Sequence, residues 1–215
     1  MKTTLFILGG KVSEGKPIAH FLLRINAAID YYHQHNATED IVFVVSGRWV
    51  SVTEEFSLTE AEIAKRYILE LVPSVQVIKE DISVEMIGNY AFSKPLITAL
   101  KPDKVLIFTS SLLYKRNLAI AERIFSNDVP YELRIITDDL LDNAILVDKE
   151  TNALQLFKNL FKEVADGDDV SFRNILLYST PYYFKNIISD EDYFNTYWDG
   201  GFDHYKNGLT ERKRV

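Results

Sequence analysis

Four apolar runs, each ending in a cluster of small or polar residues, constrain the fold of this chain more than any other feature. The runs are rich in β-branched residues and lack polar alternation, which is typical of strands buried on both faces of a parallel sheet. All strands of such a sheet end at the same edge, where open α/β sheets bind ligands. The runs are residues 4–8, 41–45, 75–78 and 105–108, and the clusters that follow them are residues 9–10, 46–48, 79–83 and 109–111.

Helical periodicity fills the intervals between these runs, and residues 132–137 add a fifth predicted strand. The alternation of strands and helices predicts a Rossmann-like, doubly wound α/β fold, with helices on both faces of a mainly parallel five-stranded sheet. Pro95 should kink the third helix or mark a start within it. The predicted helices are residues 17–32, 59–71, 87–100, 113–124 and 152–164.

The 215 residues suffice for one large domain, or for one domain with an appendage. Beyond residues 166–169 the sequence becomes rich in Tyr and Phe and is interrupted by Pro181 and by Gly200 and Gly201. We therefore predict a Rossmann-like domain over residues 1–167 and an aromatic-rich helical extension over residues 168–215. The extension is expected to pack on the same domain, either against the sheet or over the site.

Composition excludes several classes of function. The formal net charge of −7 argues against a nucleic-acid partner, because phosphate binding needs a basic face. The absence of cysteine excludes disulfides, thiolate catalysis and cysteine-ligated metal, and fits a reducing compartment. No run approaches the ~18 apolar residues of a membrane span, and the first run is too short for a signal peptide. We therefore expect a cytoplasmic protein.

Residues 10–17 nearly match a phosphate-binding P-loop between a strand and a helix. Pro17 stands where a Ser or Thr hydroxyl must hold magnesium, which disfavours hydrolysis of nucleoside triphosphates. Proline suits the first position of a helix, so a plain loop-to-helix junction accounts for the segment. Gly9 and Gly10 lack the later glycine of a dinucleotide fingerprint. They form a tight turn, or they let a ligand approach the backbone closely.

Two features after the strands are candidates for anion binding. Thr109 and Ser110 open a helix, where backbone N–H groups and hydroxyls provide donors for an anion. The alternative is that one hydroxyl only caps the helix. Arg116 lies further along that helix and either reaches the anion or forms a surface ion pair.

Two acidic residues are candidates for acid–base chemistry, and each has a structural alternative. Glu60 closes the capping-box pattern of residues 57–60, or it faces the cleft. Glu80 and Ser83 follow the third strand and Asn89 comes two turns later, so these side chains bind sugar hydroxyls or a water, or they fix the loop.

The sequence offers no convincing metal site. The four histidines lack the spacing of a zinc site, and no G-x-S-x-G nucleophile elbow is present. Asp138, Asp139 and Asp142 have the chemistry to hold a divalent cation, but a charged loop is the favoured interpretation.

In their order and strand-end placement, these clusters resemble the YdcF/SanA/ElyC-like family, also called domain of unknown function 218. The resemblance covers residues 4–137. It implies a Rossmann-like fold with a polar cleft at the strand ends, and an S-adenosylmethionine-like nucleotide has been suggested for the family. The matching positions are Gly9, Gly10, Arg24, Ser46, Gly47, Glu60, Ala61, Glu80, Ser83, Asn89, Thr109, Ser110 and Arg116.

The departures from the family pattern bear on catalysis. The family's Asn-Thr step is Glu85 and Met86 here, and its following Glu is Gly88. The family histidine falls on Leu113, which removes the best general acid or base of the motif.

The sequence therefore predicts a protein that binds a small anionic ligand, such as a nucleotide, an S-adenosylmethionine-like compound or a phosphorylated metabolite. One alternative is a phosphoester hydrolase that uses Glu60 or Glu80 as its base, and another is a catalytically silent protein-interaction module. Arg48 is added to the binding set because it follows the Ser-Gly turn. The predicted ligand-binding residues are Gly9, Gly10, Arg24, Ser46, Gly47, Arg48, Ser83, Asn89, Thr109, Ser110 and Arg116.

Overall fold

A computed structural model describes residues 1–48, 58–137, 140–179 and 183. No helix in these residues is both long and apolar enough to cross a membrane. In chain order the elements are β1 (Lys2–Ile7), β2 (Val12–Ser13), β3 (Lys16–Pro17), α1 (Ala19–His35), β4 (Asp40–Ser46), α2 (Glu60–Leu71), β5 (Gln76–Glu80), α3 (Met86–Leu100), β6 (Lys104–Ser110), α4 (Tyr114–Ile124), β7 (Tyr131–Ile136), a 3-10 helix (Leu140–Asp142), α5 (Ala144–Leu160) and α6 (Asp169–Ser179).

Five of these strands form an all-parallel sheet in the order β5-β4-β1-β6-β7. The chain runs outward from β1 through β4 to β5, then crosses back to β6 and continues outward to β7. The direction of winding therefore reverses between β1 and β6, and this reversal is the switch point at which open α/β sheets bind ligands. The predicted doubly wound fold is confirmed.

The two faces of the sheet are covered by different helices. On one face, Leu5 and Phe43 belong to a buried cluster with Phe21 of α1 and Ile68 of α2. On the other face, Phe6 packs edge-on against Tyr90 of α3, with 5.5 Å between ring centroids. This separation is expected, because right-handed crossovers in opposite directions place their helices on opposite faces.

Pro95 lies inside α3, and the helix continues through it from Met86 to Leu100. Proline has no N–H to donate to the carbonyl four residues earlier, which leaves Ala91 O without its helical partner. Arg173 Nη1 donates to that oxygen at 3.1 Å. A side chain distant in sequence thus provides the missing hydrogen bond.

The P-loop-like segment is a short antiparallel hairpin of β2 and β3. Glu14 and Gly15 form its turn with φ of 50° and 70°, the two positive values that a type I′ hairpin turn requires. Pro17 lies in β3, and α1 begins at Ala19. The prediction that Pro17 starts the helix is therefore wrong, and the segment does not form a phosphate-binding loop.

The chain divides into two compact units, Met1–Arg173 and Asn174–Val215. The first unit includes residues 168–173, which the sequence analysis assigned to the extension. Phe172 is buried there and stacks on Phe161 with ring centroids 4.8 Å apart. In the second unit the structure describes the end of α6 and position 183, and most of the predicted aromatic-rich extension lies outside the described residues.

α5 begins eight residues before the predicted helix start at Asn152. Asn143 caps it, because the Asn143 side chain accepts a hydrogen bond from Leu146 N at 3.2 Å. The predicted start is therefore wrong, and the Asn143 cap is the sequence signal that marks the true one.

Candidate functional site

At the ends of β4 and β5, four predicted site residues form one buried hydrogen-bonded group, here called the Glu80 network. The strand register places Ser46 beside Glu80. Ser46 Oγ donates to Glu80 Oε2 at 2.6 Å, and Ser83 Oγ donates to the same oxygen. Ser83 Oγ also lies 2.6 Å from Asn89 Oδ1 of α3. The network consists of Ser46, Glu80, Ser83 and Asn89.

The Glu80 carboxylate is fully engaged within this network. Its other oxygen, Oε1, accepts from the backbone N–H of Ile82 at 2.6 Å and of Ser83 at 2.9 Å. The residue is 3% exposed. A buried carboxylate that holds two backbone amides and two hydroxyls fixes the turn after β5 against β4. This geometry favours the loop-fixing role of Glu80 over a role as a catalytic base.

The glycine turns after β1 and β4 are filled by the chain's own side chains. A Cβ on Gly9 would lie 2.8 Å from Ser46 O and would collide with Glu60 Oε2, and a Cβ on Gly47 would meet the same oxygen. A Cβ on Gly10 would lie 2.6 Å from Arg24 Nη2. The absence of side chains therefore permits the close approach of Glu60 and Arg24.

Glu60 is the first residue of α2, and its carboxyl group faces the strand ends. The helix cap is Thr59, whose hydroxyl accepts from Glu62 N at 3.1 Å. Ser57, the first residue of the predicted capping box, lies outside the described residues. Glu60 therefore does not close a capping box, and its carboxyl group instead lies against the glycine turns after β1 and β4.

The environment of Glu60 favours its protonated form. Burial raises the pKa of Glu60 well above its ordinary value, and the nearby negative charge of Glu80 adds to the increase. The positive charge of Arg24 acts in the opposite direction and lowers the pKa. Strongly shifted pKa values cluster at functional sites, so the raised pKa makes Glu60 a candidate for a functional residue.

Arg24 brings a buried positive charge to the first glycine turn. Its Nη2 donates to Leu8 O at 3.1 Å and to Gly9 O at 2.9 Å. The guanidinium also lies over the Phe21 ring, 5.5 Å from its centroid. Arg24 therefore holds the turn after β1 in place while it keeps its charge beside the switch point.

At the end of β6, a second buried chain of polar groups fixes Thr109. Asn117 Nδ2 donates to Thr109 Oγ1 at 2.8 Å, and Tyr90 OH donates to Asn117 Oδ1 at 2.8 Å. Neither Asn117 nor Tyr90 is among the residues predicted from the sequence to form the site. Asn117 interrupts the apolar stripe of α4, which is the signal that would have drawn attention to it.

Ser110 has a different environment from its neighbour Thr109. It is 2% exposed, and its hydroxyl has no hydrogen-bond partner within the described ranges. Thr109 and Ser110 end β6, whereas α4 begins at Tyr114 with Leu113 as its N-cap, so the prediction that they open a helix is wrong, and so is the capping alternative.

Arg116 does not extend freely towards an anion, because it is held by α5. Its Nη2 donates to Glu150 Oε1 at 2.9 Å, and its Nε lies 2.8 Å from Glu150 Oε2. Burial raises the pKa of Glu150, and the adjacent Arg116 opposes that increase. The ion-pair alternative for Arg116 is therefore the one observed.

Two helices begin at the switch point without a side-chain cap among the described residues. They are α1, with Ile18 at its N-cap, and α4, with Leu113. By contrast, side chains cap α2, α3 and α5, namely those of Thr59, Glu85 and Asn143. α4 follows β6 directly, and α1 follows the β2–β3 hairpin that comes after β1; β1 and β6 are the two strands that flank the switch point.

Arg48 and the aspartates after β7 are the remaining candidates. The Arg48 side chain is exposed, and its backbone N–H donates to Ser83 O at 2.6 Å. Asp138 and Asp139 lie outside the described residues. Within the described part of the chain, no three His, Asp or Glu side chains are grouped to hold a metal ion.

Comparison with known proteins found no match: no protein family, no curated protein and no solved structure resembles this chain closely enough to be significant. The function is therefore argued from the geometry of the site.

Proposed function

We propose that the protein binds a small anionic ligand in the crevice between the carboxyl ends of β1 and β6. The observation that carries this proposal is the pair of uncapped helix starts at the switch point. The first N–H groups of a helix have no partner within the helix, and its dipole favours negative charge there. In this sheet, the helices that flank the crevice are the ones that lack side-chain caps.

The charged side chains around the crevice favour a ligand with one anionic group over a ligand with several. Arg24 supplies a positive charge beside the first glycine turn, and Arg116 forms an ion pair with Glu150. Glu60 and Glu80 lie on the β4 and β5 side of the site. A ligand with a single anionic group near Arg24, and with hydroxyl or amide groups towards Glu60, fits this distribution best. Nucleotides, S-adenosylmethionine-like compounds and phosphorylated metabolites all meet that description.

A thermal-shift screen with these compounds tests the proposal, because a ligand that binds only the folded state raises its melting temperature. The informative variant is Arg24→Met, which keeps the apolar stem and removes the charge. Arg116→Met is the matched control, because it removes a guanidinium that is paired with Glu150. We expect a shift that is lost in Arg24→Met and retained in Arg116→Met. Loss in Arg116→Met alone would contradict the proposal.

A second candidate function is acid–base catalysis on the bound ligand, with Glu60 as the acid or base. The raised pKa of Glu60 is the observation that favours it, because efficient proton transfer needs a group that titrates near the working pH. A phosphoester hydrolase of this kind would use Glu60 alone, since Glu80 is committed to its network. Turnover of a phosphoester that survives in Glu60→Gln would refute this candidate.

The resemblance to the YdcF/SanA/ElyC-like family remains a proposal, and it agrees with a ligand site at the strand ends. Leu113, which replaces the family histidine, is the N-cap of α4. An apolar side chain at this position neither transfers protons nor caps the helix. We infer that this chain, if it is a member, retains binding at this edge and has lost any chemistry that depends on the histidine.

A further inference from the structure

We propose that the anionic group of the ligand is a phosphoryl group, bound by the Ser110 hydroxyl together with the first turn of α1. This inference rests on the proposed function and specifies the ligand class within the same crevice. It assigns to Ser110 a direct contact that its neighbour Thr109 does not make.

Ser110 has a hydrogen-bonding group that no described residue engages. Its hydroxyl is buried and has no partner in the part of the chain that the structure describes. Buried polar groups in folded proteins almost always have a partner, so an exception calls for a cause. A ligand oxygen that accepts from Ser110 Oγ would supply one.

The alternation of side chains along β6 sets the direction of Ser110. Successive residues of a strand point to opposite faces of the sheet. Thr109 points towards α4, because Asn117 Nδ2 donates to its hydroxyl. Ser110 therefore points to the opposite face, the one on which Phe108 packs in the same cluster as Phe21 of α1.

The strand register places Ser110 beside the first glycine turn. The register of β1 and β6 pairs Ile7 with Phe108, and its continuation places Ser110 level with Gly9. Gly9 O accepts from Arg24 Nη2 at 2.9 Å. Gly10 lies against Phe21 in the first turn of α1, so the Ser110 hydroxyl, the Arg24 charge and the start of α1 all lie beside the turn after β1.

The arrangement of these donors favours a phosphoryl group over a carboxylate. The Ser110 hydroxyl lies at the end of a strand, the Arg24 charge in the second turn of α1, and backbone N–H groups at the start of that helix. A phosphoryl group presents three acceptor oxygens in a tetrahedral arrangement, whereas a carboxylate presents two in one plane. Helix N-termini are established phosphate-binding positions for the same reason.

The test is isothermal titration of the full chain with inorganic phosphate, adenosine 5′-monophosphate and adenosine. The key variant is Ser110→Ala, which breaks no hydrogen bond to a described residue. Ser93→Ala is the matched control, because the Ser93 hydroxyl is also buried without a described partner but lies on α3. Both variants are expected to fold, and their melting temperatures without ligand should equal or exceed that of the wild type.

We expect phosphate and the monophosphate to bind the wild type, and adenosine to bind more weakly than the monophosphate. Ser110→Ala should weaken the binding of both phosphorylated probes about tenfold, and Ser93→Ala should change it less than about twofold. Equal affinity in the wild type and Ser110→Ala would overturn the inference. If S-adenosylmethionine binds in an Arg24-dependent manner while neither phosphorylated probe binds, the phosphoryl assignment fails and the proposed function stands. If no anionic compound binds, both fail.

Discussion

Glu60 and Glu80 lie at the same edge of the sheet, yet replacing each by glutamine should change stability in opposite directions at neutral pH. Glu80 accepts four hydrogen bonds, from Ile82 N, Ser83 N, Ser46 Oγ and Ser83 Oγ. A hydrogen bond to a charged group contributes about 1 kcal/mol more than a neutral one, so glutamine loses up to about 4 kcal/mol. Relief of the desolvated charge offsets part of this loss. We expect Glu80→Gln to lower the free energy of unfolding by about 2 kcal/mol, or the melting temperature by about 4–8 °C.

Glu60→Gln should instead stabilise the protein, increasingly so as the pH rises. The folded-state pKa of Glu60 is raised above its ordinary value of 4.5, so the folded protein binds the proton more tightly than the unfolded chain. The bound proton contributes its full stabilisation below pH ~4.5. As the pH rises from there through the folded-state pKa, this contribution is lost, and the free energy of unfolding falls by at most about 1.4 kcal/mol per pH unit. Glutamine does not titrate and removes this loss.

The assay is urea denaturation of the wild type and both variants between pH 5 and pH 8, with the m-value as a check that the unfolding transition is unchanged. The stability of Glu60→Gln relative to the wild type should increase across this range. Two results would refute the reasoning: a Glu80→Gln variant as stable as the wild type, or a Glu60→Gln variant whose relative stability falls with rising pH.

Three further substitutions test the local geometry of the fold. Gly10→Ala should destabilise the protein by about 1–3 kcal/mol in urea denaturation, because the added Cβ would lie 2.8 Å from Phe21 Cβ, which cannot move without the backbone of α1; an unchanged midpoint would contradict the tight turn. Lys101→Gly should stabilise it by about 1 kcal/mol in thermal unfolding, since Lys101 ends α3 with a φ of 50° that favours glycine. Asn117→Ala should cost about 2–3 kcal/mol in chemical denaturation, because it leaves the buried Tyr90 hydroxyl without its acceptor; a loss under about 0.5 kcal/mol would show that the chain of polar groups contributes little.

The sheet could be predicted from the sequence because strands buried on both faces appear as continuous apolar runs, which are recognisable without knowledge of the rest of the fold. The apolar runs correspond to β1, β4, β5 and β6, and the polar clusters after them meet at one edge as expected. The pairing of Ser46 with Glu80 was not predicted, because it depends on the order of the strands in the sheet.

The roles of individual side chains could not be predicted in the same way, because they depend on contacts between distant segments. The sequence left open whether Arg116 binds an anion, and its partner Glu150 lies in α5, 34 positions away. The hairpin at Glu14 and Gly15 imitates a P-loop because both motifs need glycine, and Lys16 follows the turn where a P-loop has its lysine; only the backbone conformation separates them. Likewise, the continuation of α3 through Pro95 depends on Arg173, a donor from another helix.

The central claim, an anion site between β1 and β6, is tested most directly by backbone amide chemical-shift mapping. The ¹⁵N-labelled protein would be titrated with the anionic compound that stabilises it most in the thermal-shift screen. We expect the largest changes in amide chemical shift at Gly9, Gly10, Ala19, Ser110 and Ser111. Large shifts confined to α5 or to the β2–β3 hairpin, with these five amides unchanged, would contradict it.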